Sequence, residues 1–204
     1  MLDSVDDHPH RGEPSQGPVP LHRHRAATIP SGSPVPSRVV STRSALPDAL
    51  GSTLWHDHPD RVGAAVEALL TGPEPGATAV RIARVLDAAP ALAAASVEDP
   101  ELAARIVAVC GAGRALAGIA VALGDDALPL LAARTAPDPV IALDPEDPPG
   151  SLRRRVAADL LRIAGLDLTR RIDMPVVGSA LSDLADAATS VALNAVLAGA
   201  PGVR

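Results

Sequence analysis

Apolar residues recur every three or four positions along most of the chain after residue 60, and breaks made of Pro and Gly separate these stretches. This period places apolar side chains on one side of an α-helix, so each stretch predicts an amphipathic helix. We see no stretch in which apolar and polar residues alternate, as they do in a half-buried strand. The predicted helices cover residues 60–70, 77–89, 100–111, 114–123, 128–131, 151–168 and 174–195.

Local signals set the expected ends of these helices. Asp99 is a predicted N-cap, since Pro100 and Glu101 follow it in the first turn. The glycines at 111 and 113 predict a break, and Gly124-Asp125-Asp126 predicts a stop and the cap of the next short helix. Pro90 is expected at or just past the end of a helix.

The last two predicted helices carry the strongest pattern. Ser151 is the expected cap of the first and Asp173 of the second, with Pro175 in the first turn. A short link makes them an αα-hairpin whose two apolar stripes should pack together. The predicted stripes are Leu152, Val156, Leu160 and Ile163 on the first helix, and Val177, Leu181, Leu184, Ala188, Val191 and Ala195 on the second.

The pattern therefore predicts an all-α fold: a helical bundle that ends in a long αα-hairpin. Residues 1–46 are rich in Pro, His and Ser and hold few large apolar residues, so we expect a disordered tail there. The helical domain is expected at residues 60–197. A segment of this size is long enough for one modest core.

The composition and charge of the chain argue against several classes of function. The chain has no Phe, Tyr or Lys, and Trp55 is its single large aromatic residue. Its net charge is −6, with basic runs only at 153–155 and 170–171, so we expect no binding to nucleic acid. Arg114 interrupts the apolar stretch 106–123, which favours buried helices over a membrane span. The acidic N-terminus lacks the apolar segment of a signal peptide, and we expect a cytoplasmic protein.

Three weaker motifs each have a simpler, structural interpretation. Gly111 and Gly113 fit a dinucleotide fingerprint, but Leu116 stands where the third Gly belongs, so a helix break is favoured. His-x-His pairs occur at 8/10, 22/24 and 56/58; the last, with Asp57 and Asp60 nearby, is a candidate metal site, although a solvated polar segment is the simpler reading. Cys110 lies in an apolar helix and is expected to be buried and inert.

The hairpin segment carries a family resemblance. It reads DLLRIAGLDL over 159–168, then Met174-Pro175, then LSDLADA over 181–187. These words resemble the helical region of the glutamine synthetase adenylyltransferases, which transfer AMP from ATP, with Mg²⁺, to a tyrosine of glutamine synthetase and remove it again. The match extends thinly upstream to about residue 60. The resemblance marks as family-motif positions Asp159, Arg162, Asp167, Pro175, Asp183 and Asp186.

The catalytic motif implied by that family is not in this sequence. Such enzymes hold their divalent metals with an Asp-x-Asp pair on a strand, whereas the chain contains no Asp-x-Asp. We therefore assign no catalytic and no metal-binding residue, and expect the chain alone to be inactive. The family implies glutamine synthetase as a partner, together with a catalytic domain or partner helix that covers the stripe from Val177 to Ala195. The alternative is a non-catalytic helical interaction module.

Overall fold

The computed structural model describes residue 50 and residues 53–138 and 140–199. Those residues form helices and connecting loops without a strand, which confirms the all-α prediction. The predicted disordered tail, residues 1–46, lies outside the described residues. In chain order the helices are α1 (Leu54–Asp57), α2 (Gly63–Thr71), α3 (Pro75–Ala88), α4 (Pro90–Glu98), α5 (Pro100–Ala112), α6 (Arg114–Leu123), α7 (Ala127–Leu131), α8 (Pro148–Leu168) and α9 (Met174–Gly199), with a 3-10 turn at Gly124–Asp126 before α7.

Two of the predicted caps are confirmed. The Asp99 carboxylate accepts hydrogen bonds from the backbone N–H groups of Glu101 (2.9 Å) and Leu102 (3.2 Å) at the start of α5. Asp173 accepts from the N–H of Val176 at 3.1 Å at the start of α9. Both bonds satisfy donors that have no partner inside the helix.

The predicted cap at Ser151 is wrong. Helix α8 begins three residues earlier at Pro148, where Asp147 accepts from the N–H of Gly150 at 2.9 Å. Proline is compatible with the first turn because its missing N–H has no helical partner there. The Ser151 hydroxyl instead donates to the Pro148 carbonyl oxygen at 3.0 Å.

Pro90 lies just past the end of α3 at Ala88, as predicted, and it also begins another helix, α4. Helix α4 was not predicted, because its Ala-rich segment PALAAASVE has no clear apolar stripe. Asp125, expected to cap the helix that follows it, accepts instead from the N–H of Ala91 at 2.8 Å, in the first turn of α4. A helix cap that comes from a residue far away in the sequence is a tertiary contact, and local sequence patterns do not reveal it.

The predicted break between α5 and α6 is confirmed at Gly113. Its φ of 149° belongs to a backbone region that residues with a Cβ rarely adopt. Helix α6 then starts at Arg114 and ends at Leu123, as the pattern predicts. The glycine therefore ends one helix and redirects the chain into the next.

A main core is built around α5, which packs against α2, α3, α4, α6 and α8. Trp55 is completely buried in it, and its indole N–H donates to the Ser96 hydroxyl at 2.8 Å. Leu161 brings α8 into the same core. The other large side chains that are fully buried are Leu50, Leu69, Ile82, Leu92, Leu102, Ile106, Leu131, Leu166, Val62 and Val66.

A second, smaller group of apolar residues joins α8 to α9; we call it the hairpin cluster. Its buried members are Ile163, Val177, Ala180 and Leu184. The predicted packing of the hairpin is thus present, but the stripes differ in detail. Leu181 is 41% exposed and Ala180 takes its place in the cluster. On α8 the predicted stripe residues Val156, Leu160 and Ile163 do face this cluster, but α8 also buries Leu161 in the main core, on a second side that the pattern did not predict.

Candidate functional site

The six family-motif positions divide between structural roles and open surface. Asp159 is almost fully buried on α8 and accepts from the Arg155 guanidinium at 2.8 Å. Arg155 also donates to the carbonyl oxygen of Asp138 at 3.2 Å. Burying a carboxylate is unfavourable unless it is paired, so this ion pair accounts for Asp159 without any ligand.

Arg162 holds the loop that leads from α7 to α8. Its guanidinium donates to the carbonyl oxygens of Thr135 (2.7 Å) and Ala136 (3.2 Å), and to the Thr135 hydroxyl at 3.1 Å. These bonds satisfy backbone acceptors in a segment without helical partners of its own. Arg162 is therefore a structural residue in this fold.

The remaining motif positions do not converge. Asp167 lies beside the α8–α9 turn in a shallow, open depression, and Pro175 is exposed in the first turn of α9. Asp183 accepts from the Ser179 hydroxyl at 3.3 Å, and Asp186 is exposed one turn later. Within the part of the chain that the structure describes, no three His, Cys, Asp or Glu residues gather as a metal site would require. The pair His56 and His58 is exposed there, and the other His pairs lie outside the described residues.

Gly165 and Leu166 lie within the DLLRIAGLDL segment of α8. Both are buried in the fold. A Cβ on Gly165 would stand 3.1 Å from Cδ of Arg105 and 3.2 Å from a methyl group of Leu131. Gly165 therefore permits close packing of α8 on α5 and α7.

Arg105 is the buried cation at that contact. Its guanidinium donates to the carbonyl oxygens of Leu131 and Ala133, which end α7, while its Nε has no partner among the described residues. Desolvation, together with the nearby charge of Arg171, lowers the pKa of Arg105 below its ordinary value. The adjoining space is about 20 Å³, enough for one water molecule and too small for a substrate.

Cys110 is fully buried, as predicted, and burial raises the pKa of its thiol to about 12. A thiol in that state is a poor nucleophile.

The interpretation of Gly111 and Gly113 as a dinucleotide-binding turn is wrong for the described residues, because Gly111 lies inside α5 and no strand precedes it. A dinucleotide turn needs a strand before the helix.

At the end of α9, apolar side chains face solvent. Leu193, Val196 and Leu197 form what we call the α9 tip; their exposed fractions are 54%, 68% and 40%. The side chains there pack on no other described helix closely enough to be buried. Adjacent exposed apolar residues of this kind are typical of an interface.

A second surface, the α8 groove, lies where α8 begins. Its apolar lining comes from Leu123, Leu130 and Ala158, and its polar lining includes Arg154, Asp126 and Ser151. The groove has a volume of about 270 Å³ and is open to solvent. Arg153 and Arg154 are exposed, and no described carboxylate lies within 4 Å of either guanidinium. The groove was not predicted, because residues from separate helices form it. On α9 the sequence predicted a partner surface along the stripe from Val177 to Ala195, whereas the tip consists of Leu193, Val196 and Leu197.

Helix α9 also has the length and composition of a membrane span, since residues Met174–Ala198 are long and apolar enough. It is the one such helix among the described residues. Asp183 and Asp186 lie near its middle, and Val177 and Leu184 are buried against α8. Ionised carboxylates are costly at the centre of a bilayer.

The family resemblance of the hairpin sequence has no independent support from known proteins. A scan against protein-family models, a search of curated proteins and a search of solved structures each returned no match to this chain.

Proposed function

We propose that this protein is a non-catalytic helical interaction module, and that it binds a protein partner through the C-terminal part of α9. The observation that carries the proposal is the exposed apolar α9 tip, Leu193, Val196 and Leu197, at the end of the hairpin. Burying apolar area contributes about 25 cal/mol per Å², so three such side chains supply a useful part of a binding energy.

The distribution of polar residues along α9 supports the same function. Over the first part of the helix, polar residues interrupt the exposed apolar ones: Ser179, Ser182, Asp183 and Asp186 lie among Met174, Val176 and Leu181. Beyond Asn194 the helix has no polar side chain up to Gly199. A surface that only had to stay in water would continue the polar pattern.

Site-specific photo-crosslinking tests this proposal. A photoreactive amino acid placed at Val196 in cells should form covalent adducts with a discrete protein, whereas the same group at the exposed Glu67 of α2 should not. Mass spectrometry identifies the adduct. If positions 193, 196 and 197 all remain free of adducts, the α9 tip is not an interface and the proposal is wrong.

A second candidate function specifies which protein the module binds. The order of a long helix, a short turn at residues 169–173 and a longer helix supports a relation to the glutamine synthetase adenylyltransferases, whose words the hairpin resembles. On this proposal the module contacts glutamine synthetase or a nucleotidyltransferase domain. The residues of this chain do not fit the ATP and Mg²⁺ implied by that family, because the sequence contains no Asp-x-Asp and the described acids do not cluster. We therefore derive no catalytic step from them.

Two measurements separate the candidates. Purified chain incubated with glutamine synthetase and labelled ATP should transfer no AMP, and transfer would overturn the non-catalytic proposal. Calorimetric titration of the chain into glutamine synthetase should give binding that a Val196→Asp variant weakens. No heat of binding would remove the family proposal and leave the general interaction module to the crosslinking test.

A further inference from the structure

Arg105 on α5 is a buried cation whose hydrogen-bond donors are only partly used. The residue is 3% exposed. Its hydrogen bonds to the described residues come from Nη1 alone, which donates to the carbonyl oxygens of Leu131 and Ala133. The Nε–H group is buried without a partner among the described residues. A buried donor of this kind is unfavourable unless some group accepts from it.

The unused donors of Arg105 are the ones that form the anion-binding fork of a guanidinium. The Nε–H bond and one Nη2–H bond are parallel, so a single anion can accept from both. Nη1 lies outside this pair. Because the carbonyl oxygens at the end of α7 occupy Nη1, the fork stays available within the described fold.

A small cavity adjoins Arg105 between the start of α5 and the end of α7. Its lining residues are Asp99, Glu101, Leu102, Arg105, Leu131, Ala132 and Arg134. The volume of about 20 Å³ holds one particle of about the size of a water molecule. Phosphate, sulfate and organic carboxylates are therefore too large for it, whereas a monatomic anion is close to the right size.

The charges around this cavity leave one positive charge in excess. Asp99 and Glu101 line it, but Asp99 accepts from two backbone N–H groups of α5, and Glu101 forms an ion pair with Arg171. Three arginines, at positions 105, 134 and 171, share the region with these two carboxylates. Neither Arg105 nor Arg134 has a described carboxylate oxygen within 4 Å of its guanidinium.

We propose that one small monovalent anion, of the size of chloride, occupies this cavity and accepts hydrogen bonds from the Nε–H and Nη2–H groups of Arg105. The anion neutralises a cation that is held away from water, where an unpaired charge is unfavourable. The exposed Arg134 supplies a second positive charge at the cavity. Desolvation and the charge of Arg171 lower the pKa of Arg105, which agrees with an incompletely compensated cation.

The bound anion stabilises a junction of three parts of the fold. Arg105 belongs to α5, and its carbonyl partners end α7. Arg171, in the turn between α8 and α9, reaches Glu101 in the first turn of α5. Neutralising Arg105 therefore favours the packing of α7 and of the hairpin turn against α5. This site is separate from the α9 tip and does not depend on the function proposed above.

A water molecule is the competing occupant of the cavity. It has a suitable size and accepts from Nε–H, but it leaves the positive charge of Arg105 uncompensated. The two occupants differ in a measurable way, because only an anion makes the stability of the protein depend on the anion concentration.

Urea unfolding of the full chain tests the proposal, with sodium chloride replacing sodium sulfate at constant ionic strength. A ligand that binds only the folded state shifts the folding equilibrium about tenfold for each tenfold rise in concentration above its Kd. We expect this shift with chloride. Its sign is diagnostic, because general salt effects make sulfate the more stabilising anion. Stability that stays constant or decreases as chloride replaces sulfate would overturn the proposal.

Matched variants locate the anion. Arg134→Gln removes a cation at an exposed position, so it should fold and should need at least tenfold more chloride for the same stabilisation. Arg84→Gln makes the same change of charge at an exposed position on α3 and should behave as the wild type. Arg105→Lys keeps the positive charge but lacks the fork, and chloride should no longer stabilise it. Equal chloride dependence in Arg134→Gln and Arg84→Gln would overturn the proposal.

Bromide provides a direct measurement of the position. Crystals of the full chain grown with bromide should give an anomalous diffraction peak beside the Arg105 guanidinium. No peak there, or peaks confined to other positions, would overturn the proposal even if chloride stabilises the protein. This measurement and the Arg134→Gln variant decide the question if Arg105→Lys does not fold.

Discussion

The main core and the hairpin cluster use the same small apolar side chains but differ in how completely they bury them. The main core receives residues from α1 to α8 and encloses Trp55, Leu92 and Leu102 almost entirely. The hairpin cluster holds α9 with three buried side chains, Val177, Ala180 and Leu184, against α8 and the preceding loop. Helix α8 belongs to both. The difference indicates that the main core folds as a unit, whereas α9 is attached by little buried area and its C-terminal part stays exposed.

The largest predicted effect is in the main core. Replacing Trp55 with Ala should lower the free energy of unfolding by about 4 kcal/mol, because it opens a cavity and removes the donor to Ser96. Urea denaturation followed by circular dichroism measures this loss. A loss below about 1 kcal/mol would show that the main core is not the stable unit of the fold.

Arg105 comes next. Arg105→Met keeps most of the buried volume but leaves the Leu131 and Ala133 carbonyl oxygens without their donor, so we expect a loss of about 3 kcal/mol in the free energy of unfolding. The exposed Arg84 offers a matched control, and Arg84→Met should change stability by less than about 0.5 kcal/mol. Equal effects at the two positions would contradict a structural role for Arg105.

In the hairpin cluster we expect a local effect. Leu184→Ala should destabilise the packing of α9 by about 2 kcal/mol, and amide hydrogen exchange should become faster in residues 174–199. Trp55, the single tryptophan, should keep its fluorescence because the main core is unchanged. The neighbouring Leu181→Ala, at an exposed position, serves as the control. Simultaneous loss of Trp55 fluorescence and α9 protection would mean that the two regions form one cooperative unit.

The smallest effect at neutral pH concerns Cys110. Its pKa is raised from 9.0 to about 12 by desolvation, so the fold favours the neutral thiol. This contribution to stability is fully present below pH 9 and decreases as the pH rises toward 12. Stability in Cys110→Ala should lack that alkaline decrease, and the wild-type thiol should react with Ellman's reagent at pH 8 only after unfolding. Rapid labelling of the folded protein would contradict the burial of Cys110.

Much of the fold could be predicted because helix-forming signals in this chain are local. Pro and Gly mark the breaks, Asp99 and Asp173 cap the helices that follow them, and the bounds of α6 agree with the pattern. Helix α4 escaped prediction because Ala-rich turns are apolar all round and lack a stripe. The start of α8 was predicted three residues too late, at Ser151. Two prolines and a glycine at 148–150 indicate a loop, unless one considers the hydrogen bond that Asp147 accepts from the N–H of Gly150.

The site could be predicted less well, since it depends on which helices meet. The spacing of Leu181 and Val177 is as helical as that of Ala180 and Val177, and only the position of α8 decides which side of α9 is covered. Asp159 and Arg162 stood out as motif residues, but ion pairing with Arg155 and bonding to Thr135 give them structural roles. The α8 groove combines residues from separate helices, and no single window of sequence contains it.

By itself the sequence determined that this protein is helical, where most of its helices begin and end, and that Cys110 would be buried, because backbone capping and apolar periodicity act over a few residues. Only the tertiary structure decided that α8 is covered on two sides, that Arg105 on α5 donates hydrogen bonds to the carbonyl oxygens at the end of α7, and that the α9 tip stays exposed. Those outcomes depend on the close packing of side chains far apart in the chain, where a single Cβ, as at Gly165, changes which surfaces can meet.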